Sequence, residues 1–161
     1  MNEQQHWNKI GEHYNKEIFD VYANDRNKVL IRYLDRHSNL KKTAFDFGCG
    51  NGKALPFLSP RFRSVVAADI SENLLMDAAR RGYKNVNLLH RDLADPEADL
   101  PKVDFVFSCN VIMLPAQEGN RTMFRNVARS LKSGGSALLV VPSAESMLLD
   151  RKSTRLNSSH T

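Results

Sequence analysis

Apolar residues recur along this chain first at helical spacing and then at strand spacing. Trp7, Ile10, Tyr14 and Ile18 fall at steps of three and four, which places them on one face of a helix. Val29, Leu30, Tyr33 and Leu34 do the same within a second helix predicted from Asp25 to about His37. The pattern then changes. Thr43–Phe47 is a short strand that runs into a glycine-rich turn, Gly48-Cys49-Gly50-Asn51-Gly52, and a helix is expected over roughly Lys53–Leu58, stopped near Pro60. Ser64–Ala68 is an unbroken apolar run, the mark of a strand buried on both faces, and it ends at Asp69.

The alternation continues. Ser71 is an expected N-cap with Glu72 in the first turn, Leu74, Leu75, Ala78 and Ala79 line the helix, and Gly82 ends it. Asn85–His90 and Val103–Ser108 read as strands three and four. A helix near Glu118–Lys132 is expected to bury Met123, Phe124, Val127, Ala128 and Leu131. Ser133-Gly134-Gly135 turns the chain into a fifth strand, Ala137–Val141. Strands alternating with helices predict an α/β fold, a doubly wound and mainly parallel sheet.

Composition narrows the class. The 161 residues make about one domain, 42% hydrophobic and 25% charged, which argues against disorder. No apolar run approaches the ~18 residues of a membrane span. The polar start, Met1 to Gln5, is not a secretory signal, so a cytoplasmic location is expected. Two cysteines, Cys49 and Cys109, supply neither a disulfide scaffold nor a zinc ribbon, and no metal site is expected. Two of the five net positive charges sit in the last twelve residues, where Arg151, Lys152 and Arg155 face only Asp150. The remainder is mildly basic, and without aromatic interleaving it gives no case for a nucleic-acid partner. Residues 150–160, DRKSTRLNSSH, resemble a translated reading frame of a sequencing-library adapter. The expected organisation is therefore a domain over 1–149, with a helical cap over about 1–40 and a core over about 43–149, then a non-native tail at 150–161.

The chemistry concentrates at Asp46-Phe47-Gly48-Cys49-Gly50-Asn51-Gly52, at the carboxyl end of the first strand. Open α/β sheets bind ligands there. Glycines let the backbone turn tightly and approach a ligand, and a helix N-terminus offers N–H groups to an anion. A phosphate-binding P-loop fails on spacing, because Phe47 stands at its first glycine position and Ala54 follows Lys53. A dinucleotide fingerprint is weakened, because its third glycine position is Lys53. The third pattern, an acid followed by x-Gly-x-Gly-x-Gly, fits Asp46, Gly48, Gly50 and Gly52.

With that motif the chain resembles the class I S-adenosylmethionine (SAM)-dependent methyltransferases. Asp69, Asp92, the Cys109-Asn110-Val111 segment and the Leu131–Gly135 turn match later family motifs in order, and the resemblance covers roughly residues 3–141. It implies a Rossmann-like fold, SAM as cofactor, and a cofactor site drawn from Asp46, Gly48, Cys49, Gly50, Gly52, Asp69, Ile70, Asp92, Leu93, Asn110, Val111 and Tyr14. Asp69 would accept the ribose hydroxyls, or else act as a helix-cap acid before Ser71. Asp92 would sit beside the adenine, or else pair with Arg91. The methionine carboxylate could meet N–H groups of Gly48–Gly52, and Asp46 its ammonium, directly or through water.

The implied activity is methyl transfer to an unidentified, small-molecule acceptor. Such a displacement needs alignment and desolvation first, and a base only if the nucleophile must lose a proton early. No catalytic residue is assigned. His13, His37 and His90 qualify by residue type, and each reads better as structural or surface. Trp7 reads as packing against the sheet and Tyr14 as either packing or pocket. Cys49 and Cys109 read as small fillers, and Arg121, Arg125 and Arg129 as a solvated helix face. Two other functions remain open: a nicotinamide-dependent oxidoreductase, and a SAM-binding fragment without activity. The family's sheet has seven strands with an antiparallel pair after the fifth, and this chain reaches the fifth before the tail. That arrangement leaves ALLVV as an exposed apolar edge. Residues 1–149 expressed alone should be poorly soluble or oligomeric, and a monodisperse, cooperatively melting monomer in sedimentation and thermal scans would contradict this.

Overall fold

The computed structural model describes residues 2–11, 20–143 and 145. Five strands form one sheet: β1 (Asn39–Phe47), β2 (Phe62–Asp69), β3 (Val86–His90), β4 (Val103–Cys109) and β5 (Leu131–Val140). Their order is β3-β2-β1-β4-β5, and every neighbouring pair is parallel. The chain moves outward from β1 to β3, then crosses back to β4 on the other side of β1. The order therefore reverses between β1 and β4, and a crevice opens where the loops after these two strands diverge.

The described helices are α1 (Glu3–Gly11), α2 (Val21–Asn24), α3 (Val29–His37), α4 (Leu55–Leu58), α5 (Glu72–Arg80) and α6 (Gln117–Ser130). They cover both sheet faces. On one, Leu30 and Leu34 of α3, Leu55 and Leu58 of α4, and Leu75 and Ala78 of α5 pack on Ala44, Val65, Ala67, Phe105 and Phe107. On the other, Met123 and Val127 of α6 pack with Phe45, Phe47, Val103, Val106 and Leu93. Alternate residues of the central strands thus serve opposite cores, which is why those strands read as continuous apolar runs.

Several boundaries differ from the sequence reading for visible reasons. Helix α3 starts at Val29 because Asp25 stays outside it, where its carboxylate accepts the N–H groups of Val29 and Leu30 at 2.8 and 2.9 Å. Val29 and Tyr33 consequently lie on the exposed side. The helix expected after the glycine loop is a single turn. In α6 the buried stripe is Thr122, Met123, Asn126, Val127 and Ser130, whereas Phe124 is 51% exposed and Ala128 is also outside. The polar members are buried because they are satisfied. Asn126 Nδ2 donates to the carbonyls of Leu93 and Asp95, and Ser130 Oγ to Asn126 O. Arg129 does not simply face solvent, since it donates to Pro96 O, Ala98 O and Asn126 Oδ1. Arg121 and Arg125 are exposed and reach Glu118. The Ser133–Gly135 turn is a bulge within β5, which re-enters register with β4 at Ser136. The Leu138–Val140 stretch of β5 is half-buried at the end of the described sheet. No described helix is long and apolar enough to cross a membrane.

Asn126 therefore fastens the segment after β3 to the sheet. Asn126→Ala should cost about 1–3 kcal/mol, because two buried carbonyls lose their donor. Urea denaturation measures it, and an unchanged midpoint would remove Asn126 from this role.

Candidate functional site

The crevice at the carboxyl ends of β1, β2 and β4 is the candidate site. Its walls include Gly48 and Gly50 after β1, Asp69 and Ile70 after β2, Asp92 and Leu93 after β3, and Cys109, Asn110 and Val111 after β4. Helix α1 adds Glu3 and Trp7, and Leu74, Ala94, Leu114 and Met123 complete it. Eight residues from the sequence-derived set thus converge from four loops. Asp46, Cys49 and Gly52 are not among the residues that line the cleft, and Tyr14 and His13 lie outside the described residues.

Backbone geometry explains the glycines. Gly48, Gly50 and Gly52 hold φ of 81°, 52° and 81°, a left-handed region that disfavours side chains. A Cβ on Gly48 would stand 2.3 Å from Val111 Cγ2, so the loops after β1 and β4 touch only because this residue is glycine. A Cβ on Gly52 would meet Leu55 Cδ1 at 2.8 Å and Ala78 Cβ at 3.2 Å, which makes Gly52 a packing position between α4 and α5. Asn110 also has positive φ, 57°, and its N–H donates to Val140 O at 2.8 Å.

Four of the loop amides are already bonded within the protein. Gly48 and Cys49 N–H donate to Ala68 O at 3.0 and 2.9 Å, Gly52 N–H to Cys49 O at 2.9 Å, and Gly50 N–H to Asp69 Oδ2 at 2.8 Å. These four donors are consumed inside the protein, and the one-turn α4 adds little dipole. Lys53 turns away from a phosphate role and pairs with Asp20 at 3.0 Å.

Asp69 holds the corner together. Its second oxygen accepts Ser71 N–H at 2.9 Å, so the acid contacts the loop and the start of α5 while lining the cleft. Asp69 thus braces the start of α5, as its cap alternative expects, and each oxygen keeps a second lone pair. Burial raises its pKa, and the N–H groups of Ser71, Gly50 and Ile70 pull it back. Asp92 Oδ1 accepts Ala94 N–H at 2.9 Å, while Arg91 bonds the carbonyls of Asp99 and His90 and leaves Asp92 to the cleft.

Asp46 is the outlier. It is 2% exposed and its Oδ2 has no hydrogen-bond partner among the described residues. Desolvation first, then the Asp69 charge, push its pKa up to about 8. A buried carboxyl oxygen with no donor among the described residues is costly to ionise, which favours the protonated form. The same burial raises both thiols, Cys49 well up and Cys109 to about 11. Cys49 is a buried filler as expected, but Cys109 reaches the cleft.

The remaining candidates separate cleanly. Trp7 was expected to be packing and instead lines the cleft, carried there by α1 packing on α5. Asn8 fixes that helix: Ser71 Oγ donates to Asn8 Oδ1 at 2.6 Å and Asn73 Nδ2 to Asn8 O at 3.3 Å. His90 sits beside the cleft on Ile70 O, at 2.8 Å, with Glu72 at 3.3 Å. His37 stacks on Phe105, toward the other end of the sheet, near Ser136. Glu3, Leu114 and Met123 were missed. Glu3 and Met123 belong to helices whose sequence gives no sign of reaching the crevice, and Leu114 is set by Asn120, which bonds both its N–H and its carbonyl.

Three carboxylates therefore face the cleft, those of Glu3, Asp69 and Asp92, and no lysine or arginine is among its described lining residues. A ligand that is positive and rich in hydroxyl donors suits this wall, and a pyrophosphate does not.

Comparison with known proteins agrees. The family model described as "Methyltransferase domain" matches residues 44–135, and the chain belongs to that family. The cypemycin N-terminal methyltransferase of a Streptomyces species is 32% identical over 113 residues, 68% of this chain and 46% of that protein. Methyltransferase AacuQ of Aspergillus aculeatus is 28% identical over 109 residues, 66% of this chain and 34% of that protein. The chain thus spans between a third and half of the length of these curated relatives. The DhpI–SAM–HEP complex shares the fold, with a TM-score of 0.75, 21% identity, and coverage of 92% of this chain and 68% of that one.

Two variants check the geometry. Gly48→Ala should lose cleft binding and stability together, and adding Val111→Ala should restore only part, because the positive φ persists. Full restoration would show that contact alone matters. For Asp46, the folded state holds a proton that the unfolded state releases above about pH 4, so its contribution to stability falls from about pH 4 to about pH 8. Asp46→Asn should therefore gain stability relative to the parent as pH rises across that window, read from urea midpoints, and a constant difference would refute the assignment.

Proposed function

We propose that this domain binds SAM in the crevice and transfers its methyl group to a small-molecule acceptor in the cytoplasm. The observation that carries the reading is the charge of the cleft, three carboxylate residues on a wall with no lysine or arginine among its described lining residues, above a loop four of whose amides are already bonded within the protein. In this reading Asp69 accepts the ribose hydroxyls with its free lone pairs. Ile70 and Leu93 sandwich the base, and Asp92 accepts from its exocyclic amine. Gly48 gives close backbone approach, Asn110 and Val111 border the sulfonium, and Trp7 closes the side nearest α1. The cofactor supplies a methyl carbon activated by positive sulfur. The protein's work is to orient it, keep water out and leave one side open to the acceptor. A small-molecule acceptor suits a chain of about one domain whose sequence carries no nucleic-acid-binding module.

A calorimetric titration with S-adenosylhomocysteine, with NAD in parallel, tests the reading. Saturable binding of the first and none of the second is expected. Asp69→Asn should bind roughly tenfold to hundredfold more weakly, the loss of a charge-assisted hydrogen bond. It should also melt lower, because one amide oxygen cannot serve both Gly50 and Ser71. Preferential NAD binding would overturn the proposal in favour of an oxidoreductase.

A further inference from the structure

Leu114 lines the cleft, yet the binding scheme above gives it no role. Both of its main-chain groups are held by one side chain. Its N–H donates to Asn120 Oδ1 at 2.8 Å, and its carbonyl accepts from Asn120 Nδ2 at 2.9 Å. Upstream, Met113 N–H donates to Val111 O at 2.9 Å and Asn110 N–H to Val140 O at 2.8 Å. The loop after β4 is thus pinned to β5 at one end and to α6 at the other. The leucine side chain lies against Gly119, in the first turn of α6. A Cβ on Gly119 would stand 2.7 Å from Leu114 Cδ1, well inside van der Waals contact. Gly119 has no positive φ, so its backbone would accept alanine, and alanine is the better helix former. Helix formation therefore does not call for glycine at this position. The space taken by Leu114 does.

Its neighbours fix where Leu114 stands in the cleft. It packs in one apolar cluster with Leu93, Ala94 and Met123. Asp92 Oδ1 accepts Ala94 N–H at 2.9 Å, and Asn126 Nδ2 donates to Leu93 O at 3.0 Å, so the segment that carries Asp92 is fastened to α6 as well. Leu114 therefore closes the apolar end of the cleft beside Asp92, the acid assigned above to the exocyclic amine of the base. With its main chain held by Asn120, a leucine pushed off Gly119 can move only toward the cleft.

We propose that Leu114, seated by Gly119 and Asn120, sets the size of the base that the cleft accepts, admitting a purine with an unsubstituted exocyclic amine and excluding one that carries an alkyl group there. The inference rests on the cofactor reading above. Leu114 is the residue that meets the ligand, and Gly119 and Asn120 are positioning residues that act through it.

The test is calorimetric titration of the full chain with S-adenosylhomocysteine and with its derivative carrying a propyl group on the exocyclic amine, which replaces the carbons that Leu114→Ala removes. The parent should bind the derivative at least about tenfold more weakly, since a misfit of one methylene in an apolar pocket is worth roughly 10–200-fold. Leu114→Ala should bring the two ligands to within roughly threefold of each other. Gly119→Ala should weaken S-adenosylhomocysteine about tenfold, with a melting temperature unchanged or raised, and that loss should vanish in the Leu114→Ala background. Equal binding of the two ligands by the parent overturns the inference, and so does an unaltered preference in folded Leu114→Ala. A Gly119→Ala variant that binds like the parent, or whose loss is the same in both backgrounds, overturns it as well. In each of these results S-adenosylhomocysteine still binds, so the cofactor reading stands. If the parent binds neither nucleoside, the cofactor reading falls and the inference falls with it.

Discussion

The corner at Asp69 is the constraint on which the rest depends. One carboxylate accepts N–H groups from Gly50 and Ser71, and the residue's own carbonyl accepts Arg91 N–H at 3.0 Å. Three chain segments, following β1, β2 and β3, are therefore referenced to a single residue. Position along each strand is already set by the parallel register, in which Phe47 faces Ala68 and Asp69 faces His90. The hydrogen bonds convert that register into a fixed loop. The cost is a carboxylate drawn almost wholly out of water. The N–H groups that hold it offset part of that cost, a compensation that Oδ2 of Asp46, on the adjacent strand, does not have among the described residues.

The pairing of these two acids has a consequence for what the crevice accepts. Satisfying Asp69 uses the amide of Gly50, and turning the loop uses those of Gly48, Cys49 and Gly52. Donors spent on the protein are not offered to a ligand. The glycine loop here is a means of close approach rather than a cradle for phosphate. With Glu3, Asp69 and Asp92 on the wall, the local field favours positive charge and hydroxyl donors. A loop of the same composition can serve anions elsewhere. What separates the cases is which side chain stands at the end of the second strand and where it points.

The chain of strands was readable because each has a one-residue code: β-branched and aromatic runs ending at Asp69, His90 and Cys109. The loop glycines were readable too, since three at alternate positions after a strand have few other uses. What could not be read is instructive. Phe124 was assigned inward on apolar character, but Asn126 and Thr122 take the buried stripe because Asn126 finds two carbonyls from a segment some thirty residues earlier. The start of α3 shifted because Asp25 caps from outside. Trp7 reaches the cleft through Asn8, whose partners on α5 are more than sixty residues away. Each failure involves a polar side chain whose partner the apolar period does not report, close by for Asp25 and far along the chain for Asn126 and Asn8. Periodicity reports which residues avoid water, and it is silent on which polar groups have found partners.

The same logic returns to Asp46. An apolar residue of similar size would fill its place between Ala44 and Phe47 without desolvating a carboxyl, and buried ionisable groups are often replaceable in that way with a gain in stability. Asp69, by contrast, cannot be replaced without freeing two backbone donors. One acid is thus explained by the architecture and the other is not. A local inconsistency of this kind, in a fold otherwise consistent at every level, belongs where structures carry strain for function. Its location fits that view: the residue lies two positions before Gly48, where the glycine loop at the crevice begins.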